Sequence, residues 1–274
     1  MSVFSNKIAF VTGGGSGLGR ALSEELGRRG AVVVVADINK DAASSVSDSI
    51  AASGGQSCAM GLDVTRAACV QESVDRVVAA HGRLDYMFNN AGIIILAEVR
   101  DMELQHWHRL IDVNLLGVLH GTTAAYLHMV KQGFGHIVNT ASVGGLVPLP
   151  TYAAYAATKH AVVGLSTSLR PEASRLGVNI SVVCPGTMNT GMGAAATILH
   201  ASRERLDSRK RKQKTMDPTI AAQLVLRGVE RNRGMIVFPF NARLLWWLHR
   251  LQPALLSPLE SWFVNTLRAA RTES

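Results

Sequence analysis

Tyr155 and Lys159 stand four residues apart in the stretch TYAAYAATKH, residues 151–160. Positions four apart on a helix are neighbours, with Cβ atoms about 5–6 Å apart. The stretch is rich in alanine and opens just after Pro148 and Pro150, which reads as the start of a helix. A free phenol has a pKa of about 10, too high for an efficient base near neutrality. An ammonium one turn away favours the phenolate, so this pair is a candidate acid–base group. Tyr152 is seven residues from Lys159, an axial rise of about 10 Å. Only Tyr155 can share a site closely with the ammonium, and Tyr152 reads as pocket lining on the substrate side.

A second group of residues is suited to holding a phosphate. VTGGGSGLGR, residues 11–20, sets glycines at 13, 14, 15, 17 and 19 between an apolar strand and an amphipathic helix. Glycine there lets the backbone turn tightly and approach a pyrophosphate, which rests on the helix N-terminus. Gly13, Ser16, Gly17, Leu18 and Gly19 are therefore candidate dinucleotide contacts. A P-loop would need Gly-Lys-Ser/Thr at the end of the turn, and Gly19-Arg20-Ala21 stands there instead. Asp37 ends the next apolar run, about 20 residues further on, where a carboxylate can accept both ribose hydroxyls. The same carboxylate repels a 2′-phosphate, and Ser16 and Ile38 offer no cation to receive one. The expected coenzyme is NAD rather than NADP.

The elements that must position these residues follow from the periodicity. Strands are expected at 7–12, 31–37, 56–61, 84–89, 136–142, 178–186 and 235–240, and helices at 40–53, 66–81, about 102–131 and 152–176, besides the one after the glycines. Runs such as AVVVVAD are apolar throughout, as in a parallel strand buried on both faces. Alternation of strands and helices indicates an α/β fold with helices on both sides of a parallel sheet. No linker interrupts the chain before about 190, so a single domain is expected.

Taken in order, Thr12-Gly13-x-x-x-Gly17-x-Gly19, Asp63-Val64, Asn89-Asn90-Ala91-Gly92, Asn114, Ser142, Tyr155-x-x-x-Lys159 and Pro185-Gly186 resemble the short-chain dehydrogenase/reductase family over about residues 5–240. The resemblance implies a Rossmann-type, doubly wound, seven-stranded sheet. It implies adenine contacts from Asp63 and Val64, and a place for Asn90 near the adenosine ribose, with Gly92 in the same motif. Pro185, Met188 and Thr190 match positions that hold the nicotinamide amide and phosphate. Asn114 matches an asparagine that kinks its helix and helps hold a water for proton relay. Ser142 would hold the substrate oxygen, Tyr155 would exchange its proton, and Lys159 would also bind the nicotinamide ribose. A homotetramer or homodimer is the family's usual assembly.

Composition narrows the remaining classes. The chain has 274 residues, enough for one large core, with a net charge of +8. The three cysteines, Cys58, Cys69 and Cys184, are scattered and form no CxxC pair, which points to a reducing, cytoplasmic setting without disulfides or structural zinc. His106 and His108 do not share a helical face, so no metal site is expected. The first residues lack the cationic region of a signal peptide. No stretch reads as the roughly 20 apolar residues of a membrane span.

The charge excess is local. Residues 1–200 hold 14 basic and 14 acidic residues, while 201–274 hold 14 and 6. SRERLDSRKRKQK, 202–214, falls within a flap expected at about 190–216. It carries seven cations without interleaved aromatic residues, which disfavours nucleic acid. Residues 241–274 form an extension beyond the 1–240 catalytic domain. Leu244, Trp247, Leu248 and Leu251 share one helical face there, and Leu259, Trp262, Phe263 and Leu267 share another, which predicts two amphipathic helices. Three roles are open for this tail: capping the pocket, packing against a sister subunit, or contact with a membrane surface.

The overall reading is hydride transfer between NAD(H) and a fairly apolar secondary alcohol or ketone, with Tyr155 as acid–base. Apolar residues in GGLVPLP (144–150), with Tyr152, Met188 and Met192, suggest the substrate's character. An NADP-linked ketoreductase on acyl-carrier or coenzyme A substrates is the alternative within the class. A non-catalytic NAD-binding, membrane-associated protein is the alternative outside it.

Overall fold

A computed structural model describes residues 2–209 and 215–272. Seven parallel strands form the central sheet: β1 (Ile8–Thr12), β2 (Val32–Asp37), β3 (Gln56–Gly61), β4 (Tyr86–Asn89), β6 (Gly135–Thr140), β7 (Val178–Pro185) and β9 (Met235–Phe238). Their order across the sheet is β3-β2-β1-β4-β6-β7-β9. The chain winds outward from β1 to β3, then returns to β4 beside β1. Carboxyl ends of strands at such a reversal leave a crevice for ligands.

Period-two side-chain alternation builds one core on each face of the sheet. Ala9, Val11, Val33 and Val35 pack with α1 (Gly17–Arg28), α2 (Lys40–Ala52) and α9 (Pro218–Glu230). Ile8, Phe10, Val34 and Ala36 pack on the opposite side with α3 (Ala67–His81) and α5 (Gly117–Gln132). Burial on both sides is the physical reason these strands are apolar at every position. Helix α6 (Ala153–Ser174) lies against β7 and carries the Tyr155/Lys159 pair.

Several details differ from the sequence reading. The stretch expected as one helix over 102–131 is α4 (Leu104–Ile111), a π-helical turn (Asp112–Leu116) and α5. By length and composition this continuous helix could also cross a membrane, contrary to the expectation that no segment could; in the fold it packs on the sheet and is partly buried. Helix α9 was not anticipated, although Asp217 caps it through the amides of Thr219 and Ile220 and Pro218 occupies its first turn. A second, two-stranded sheet pairs β5 (Ile95–Leu96) with β8 (Thr197–Ile198). Between them in sequence lies the short helix α7 (Gly191–Ala194), and α8 (Arg203–Arg209) follows β8. Of the basic segment, residues 210–214 lie outside the described residues.

The tail forms the two expected helices, α10 (Phe240–Leu251) and α11 (Ser257–Arg268), with Pro258 in the first turn of α11.

Candidate active site

β6 ends at Thr140, and Ser142 opens a short 3-10 turn, Val143–Gly145, that leans on α6. The Ser142 hydroxyl accepts from the Gly144 amide at 3.1 Å. Close approach of this turn to α6 depends on Gly145, where a Cβ would stand 2.5 Å from the Lys159 carbonyl oxygen. The turn thus sets the Ser142 hydroxyl beside the Tyr155 phenol, close enough to lower it. Lys159 Nζ lies 5.7 Å from the centroid of the Tyr155 ring and donates to the Thr140 carbonyl at 2.9 Å. Tyr155 is 6% exposed and Lys159 3%.

Burial is the largest influence on the Tyr155 phenol and pushes it above its ordinary value, while Ser142 pulls it down. Among the protein's own groups, burial is the dominant influence on this phenol, and the positive ring of an oxidised nicotinamide, expected to act with the ammonium, would add to its effect only when the coenzyme is bound. Burial likewise pushes Lys159 down, from 10.5 to about 8. Cys184, behind the site, is buried and its thiol is pushed up to about 12, in keeping with a packing role.

The lysine shift has a testable consequence for stability. Between about 8 and 10.5 the unfolded chain holds a proton on Lys159 that the folded chain has lost. Folding therefore gains from this group as pH rises through that window. Tyr155 and Cys184 titrate the other way, being raised in the fold, but they are present in both proteins when wild type is compared with Lys159→Met. In chemical denaturation, the wild-type-minus-variant difference is expected to shift in favour of wild type between these pH values. A difference that stays flat across the window would contradict a buried ammonium.

Asn114 sits in the π-helical turn and is fully buried. Its side chain pairs with the backbone of Ile93, accepting from the amide at 2.8 Å and donating to the carbonyl at 2.9 Å. It also reaches Thr158 Oγ1 at 3.5 Å, and Thr158 in turn donates to the Tyr155 carbonyl at 2.7 Å. Gly92 lies beside this group: a Cβ there would be 3.1 Å from Asn114 Oδ1 and 3.6 Å from Lys159 Nζ. Asn114, Gly92, Ser142, Tyr155 and Lys159 are thus brought to one place from four separate segments.

The glycine turn lies at the adjoining strand ends. Gly13 has φ +62°. A Cβ on Gly19 would stand 2.0 Å from the Gly13 carbonyl oxygen and 2.6 Å from Asn90 Nδ2, so the first turn of α1 rests directly on the loop. Asn90 Nδ2 donates to the carbonyls of Thr12 and Gly13, at 3.1 and 3.3 Å. Thr12 Oγ1 accepts from the amides of Asn90 and Ala91, a locking role that the sequence reading missed. Asp37 Oδ2 accepts from the Gly15 amide at 2.9 Å and Oδ1 from the Asn39 amide at 3.0 Å, which fixes the carboxylate beside the loop. Leu18 is buried beneath it.

The remaining candidates are placed as follows. Asp63 Oδ1 accepts from the amide and hydroxyl of Thr65. Val64 is buried against Gly117 of α5. Pro185 ends β7, and the segment after it returns to the glycine loop, where Thr190 Cβ lies 3.3 Å from a Cβ built on Gly17. Met188 bridges to Met216 and packs on the core. Met192 is exposed.

These residues fit a nicotinamide dinucleotide. No side chain of Ser16 caps α1, and its first turn holds no acid, so its leading amides can face an anion. Gly13 and Gly15 have no room for a Cβ, which would meet Ala91 and Ala42 at 2.8 Å, so glycine is what lets the loop fold this tightly at the head of α1, with the Asp37 carboxylate beside it.

Around Tyr155 the walls are apolar: Ile93, Ile94, Ile95, Leu149 and Leu199 join Ala154 and Tyr152 in one cluster. Tyr152 also packs on a second cluster formed by Leu96, Leu206, Leu267 and Ala270. Its neighbour Thr151 is held at φ +68°, an unusual conformation for a β-branched residue, with its carbonyl accepting from the Ala97 amide. The tail thus backs the substrate side. Ion pairs hold it there: Arg271 meets Asp101 at 2.6 Å and Glu98 at 3.1 Å, and Arg268 meets Glu98 at 2.7 Å. Burial alone would raise Glu98, yet hydrogen bonds from Arg268 and Arg100 keep it below the usual carboxylate range. This clamp joins residues about 170 positions apart and was not anticipated.

Comparison with known proteins agrees with this geometry. Residues 7–198 match the family model described as short chain dehydrogenase. The chain is 33% identical over 255 residues to the putative oxidoreductase SadH of Mycobacterium tuberculosis, covering 92% of each chain. It is 38% identical over 190 residues to cyclohexanol dehydrogenase of an Acinetobacter species, covering 68% of this chain and 75% of that one. Among solved structures, a short chain dehydrogenase/reductase of Burkholderia phymatum in complex with NAD superposes with a TM-score of 0.83 at 30% identity, covering 93% of this chain and 96% of that one. Sheet order, converging Ser142, Tyr155 and Lys159, and these matches agree: the chain is an oxidoreductase that belongs to the short-chain dehydrogenase/reductase family.

Proposed function

We propose that the protein transfers hydride between NAD(H) and a fairly apolar secondary alcohol or its ketone. The observation that carries this reading is the placement of Tyr155 beside Ser142 and one helical turn from Lys159, within an apolar wall. When bound, the nicotinamide supplies the hydride acceptor or donor and, in its oxidised form, a positive charge beside the phenol. Ser142 holds the substrate oxygen. Tyr155 takes the hydroxyl proton during oxidation and returns it during reduction. Lys159, its Nζ 5.7 Å from the Tyr155 ring centroid, would hold the coenzyme ribose and place its charge near the phenol. Asn114 ties Ile93 to the π-helical turn and so keeps the wall and the Tyr155 helix in register.

Asp37 supports NAD over NADP, because a 2′-phosphate would meet a carboxylate already fixed by two backbone amides. Asp37→Ala is expected to weaken NAD binding and to reduce the NAD/NADP preference by about tenfold or more, a loss of about 1.4 kcal/mol in discrimination. Titration of both coenzymes by fluorescence tests this. An unchanged ratio would remove Asp37 from coenzyme selection. The substrate class is tested by a panel of alcohols of graded polarity, with reduced coenzyme followed by absorbance. Fastest turnover on small polyols would exclude the apolar preference. The cyclohexanol dehydrogenase relative is consistent with a secondary, apolar alcohol.

A further inference from the structure

One face of α10 is apolar, exposed and unused by the reaction. Phe240 is 75% exposed, Trp247 51% and Leu251 76%, with Leu244 and Leu248 beside them on the same helical face. Leu255 and Leu259 are also exposed in the turns that follow. The opposite side anchors the helix: Ala242 is buried, and Trp246 packs on the cluster formed by Val182, Cys184 and Val237. Solvent exposure of this many large side chains in one helix is uncommon without a partner.

Charge around the face selects the partner. No acidic residue occurs from 231 to 259, whereas Arg231, Arg233, Arg243 and Arg250 do. Arg243 and Arg250 lie together along one edge of the apolar face, about 80–100° from its centre by the 100° step of a helix. Among the described residues the Arg243 side chain donates to the Val237 carbonyl and neither Arg243 nor Arg250 has an ion pair. Antiparallel two-fold packing of this face on a second copy would set the arginine edge against itself, with no acid from residues 231–259 to offset it. An anionic surface offsets it directly.

We propose that α10 is a peripheral docking element for an anionic lipid surface. Phe240, Leu244, Trp247 and Leu251 enter the headgroup boundary, and Arg243 and Arg250 lie along it toward the lipid phosphates. One short helix gives reversible, salt-sensitive attachment rather than permanent anchoring. The inference stands independently of the substrate assigned above.

Co-sedimentation with vesicles of phosphatidylcholine, with and without phosphatidylglycerol, tests it on the full chain. Wild type is expected to bind the phosphatidylglycerol vesicles at low salt and to leave them at high salt. Trp247→Glu with Leu251→Glu should weaken binding by about tenfold or more, the equivalent of one apolar side chain withheld from burial. Arg243→Gln with Arg250→Gln should weaken binding to the charged vesicles and leave the weak binding to neutral ones unchanged. Thermal midpoints should stay close to the wild-type value in both variants, since the native contacts removed among the described residues are the Trp246–Trp247 ring contact and one bond from Arg243 to the Val237 carbonyl. Failure of wild type to bind charged vesicles would overturn the proposal. So would a fall in mass by light scattering in the glutamate variant, which would show a second copy on this face.

Discussion

Gly19→Ala is expected to damage both the fold and coenzyme binding. A Cβ at this position would stand 2.0 Å from the Gly13 carbonyl oxygen, and the neighbouring obstacle, Asn90 Nδ2, is itself tied to that loop. Neither can yield as a flexible side chain does, because the first is backbone and the second holds the backbone in place. Relief therefore requires α1 to move off the glycine turn. Overpacking a well-fitted site costs about 1–3 kcal/mol, and a clash with backbone belongs at or above the upper end. At about 2–4 °C per kcal/mol for a domain of this size, a thermal midpoint lower by about 6–12 °C is expected. Coenzyme binding should weaken together with stability, since the displaced turn is the one that faces the diphosphate. Calorimetry with and without NAD checks both. A variant with the wild-type midpoint and affinity would mean that the turn is not packed as described.

Much of this arrangement is legible in the sequence, for physical reasons. Strands buried on both faces must be apolar throughout, so VVVVAD and IAFVT announce a parallel sheet before any topology is known. Glycines at 13, 17 and 19 are required by local geometry, and the position of Asp37 follows from strand length. Tyr155 and Lys159 share a helix, so their separation is fixed by the helical repeat alone.

Other features depend on contacts that no local pattern encodes. The π-helical turn at 112–116 has the same apolar texture as the α-helix on either side, and Asn114 is recognisable there only through its pairing with Ile93. The clamp from Arg268 and Arg271 to Glu98 and Asp101 joins distant segments through charges that look like ordinary surface residues in sequence. Strand β5 is two residues long, below the length at which alternation can be seen. The direction of the Tyr155 shift also lay beyond reach. Proximity of a lysine suggests a lowered pKa, whereas burial of the phenol raises it. The positive ring of an oxidised nicotinamide would therefore be needed, besides Lys159, to bring the phenol back down.

Tyr155→Phe is expected to have the largest effect on turnover. The substitution removes one oxygen and preserves the ring that packs with Ile95, Leu110 and Ala154. The hydroxyl removed is buried, so little stability should be lost provided Ser142 keeps its bond from the Gly144 amide. Ser142 and Lys159 remain, and neither replaces the phenol: the serine hydroxyl is far less acidic, and the lysine amine is held on the Thr140 carbonyl. General acid–base catalysis contributes about 10²–10⁴-fold, and kcat should fall by that factor. By contrast, NADH affinity should change little, because the glycine turn, Asp37 and Lys159 are untouched.

Single-turnover reaction of Tyr155→Phe, in a sample whose bound NADH is measured by fluorescence before substrate is added, tests the central claim most directly. Wild-type coenzyme occupancy is expected, with chemistry slowed by about 10²–10⁴-fold across the pH range. Wild-type rates at full occupancy would contradict it.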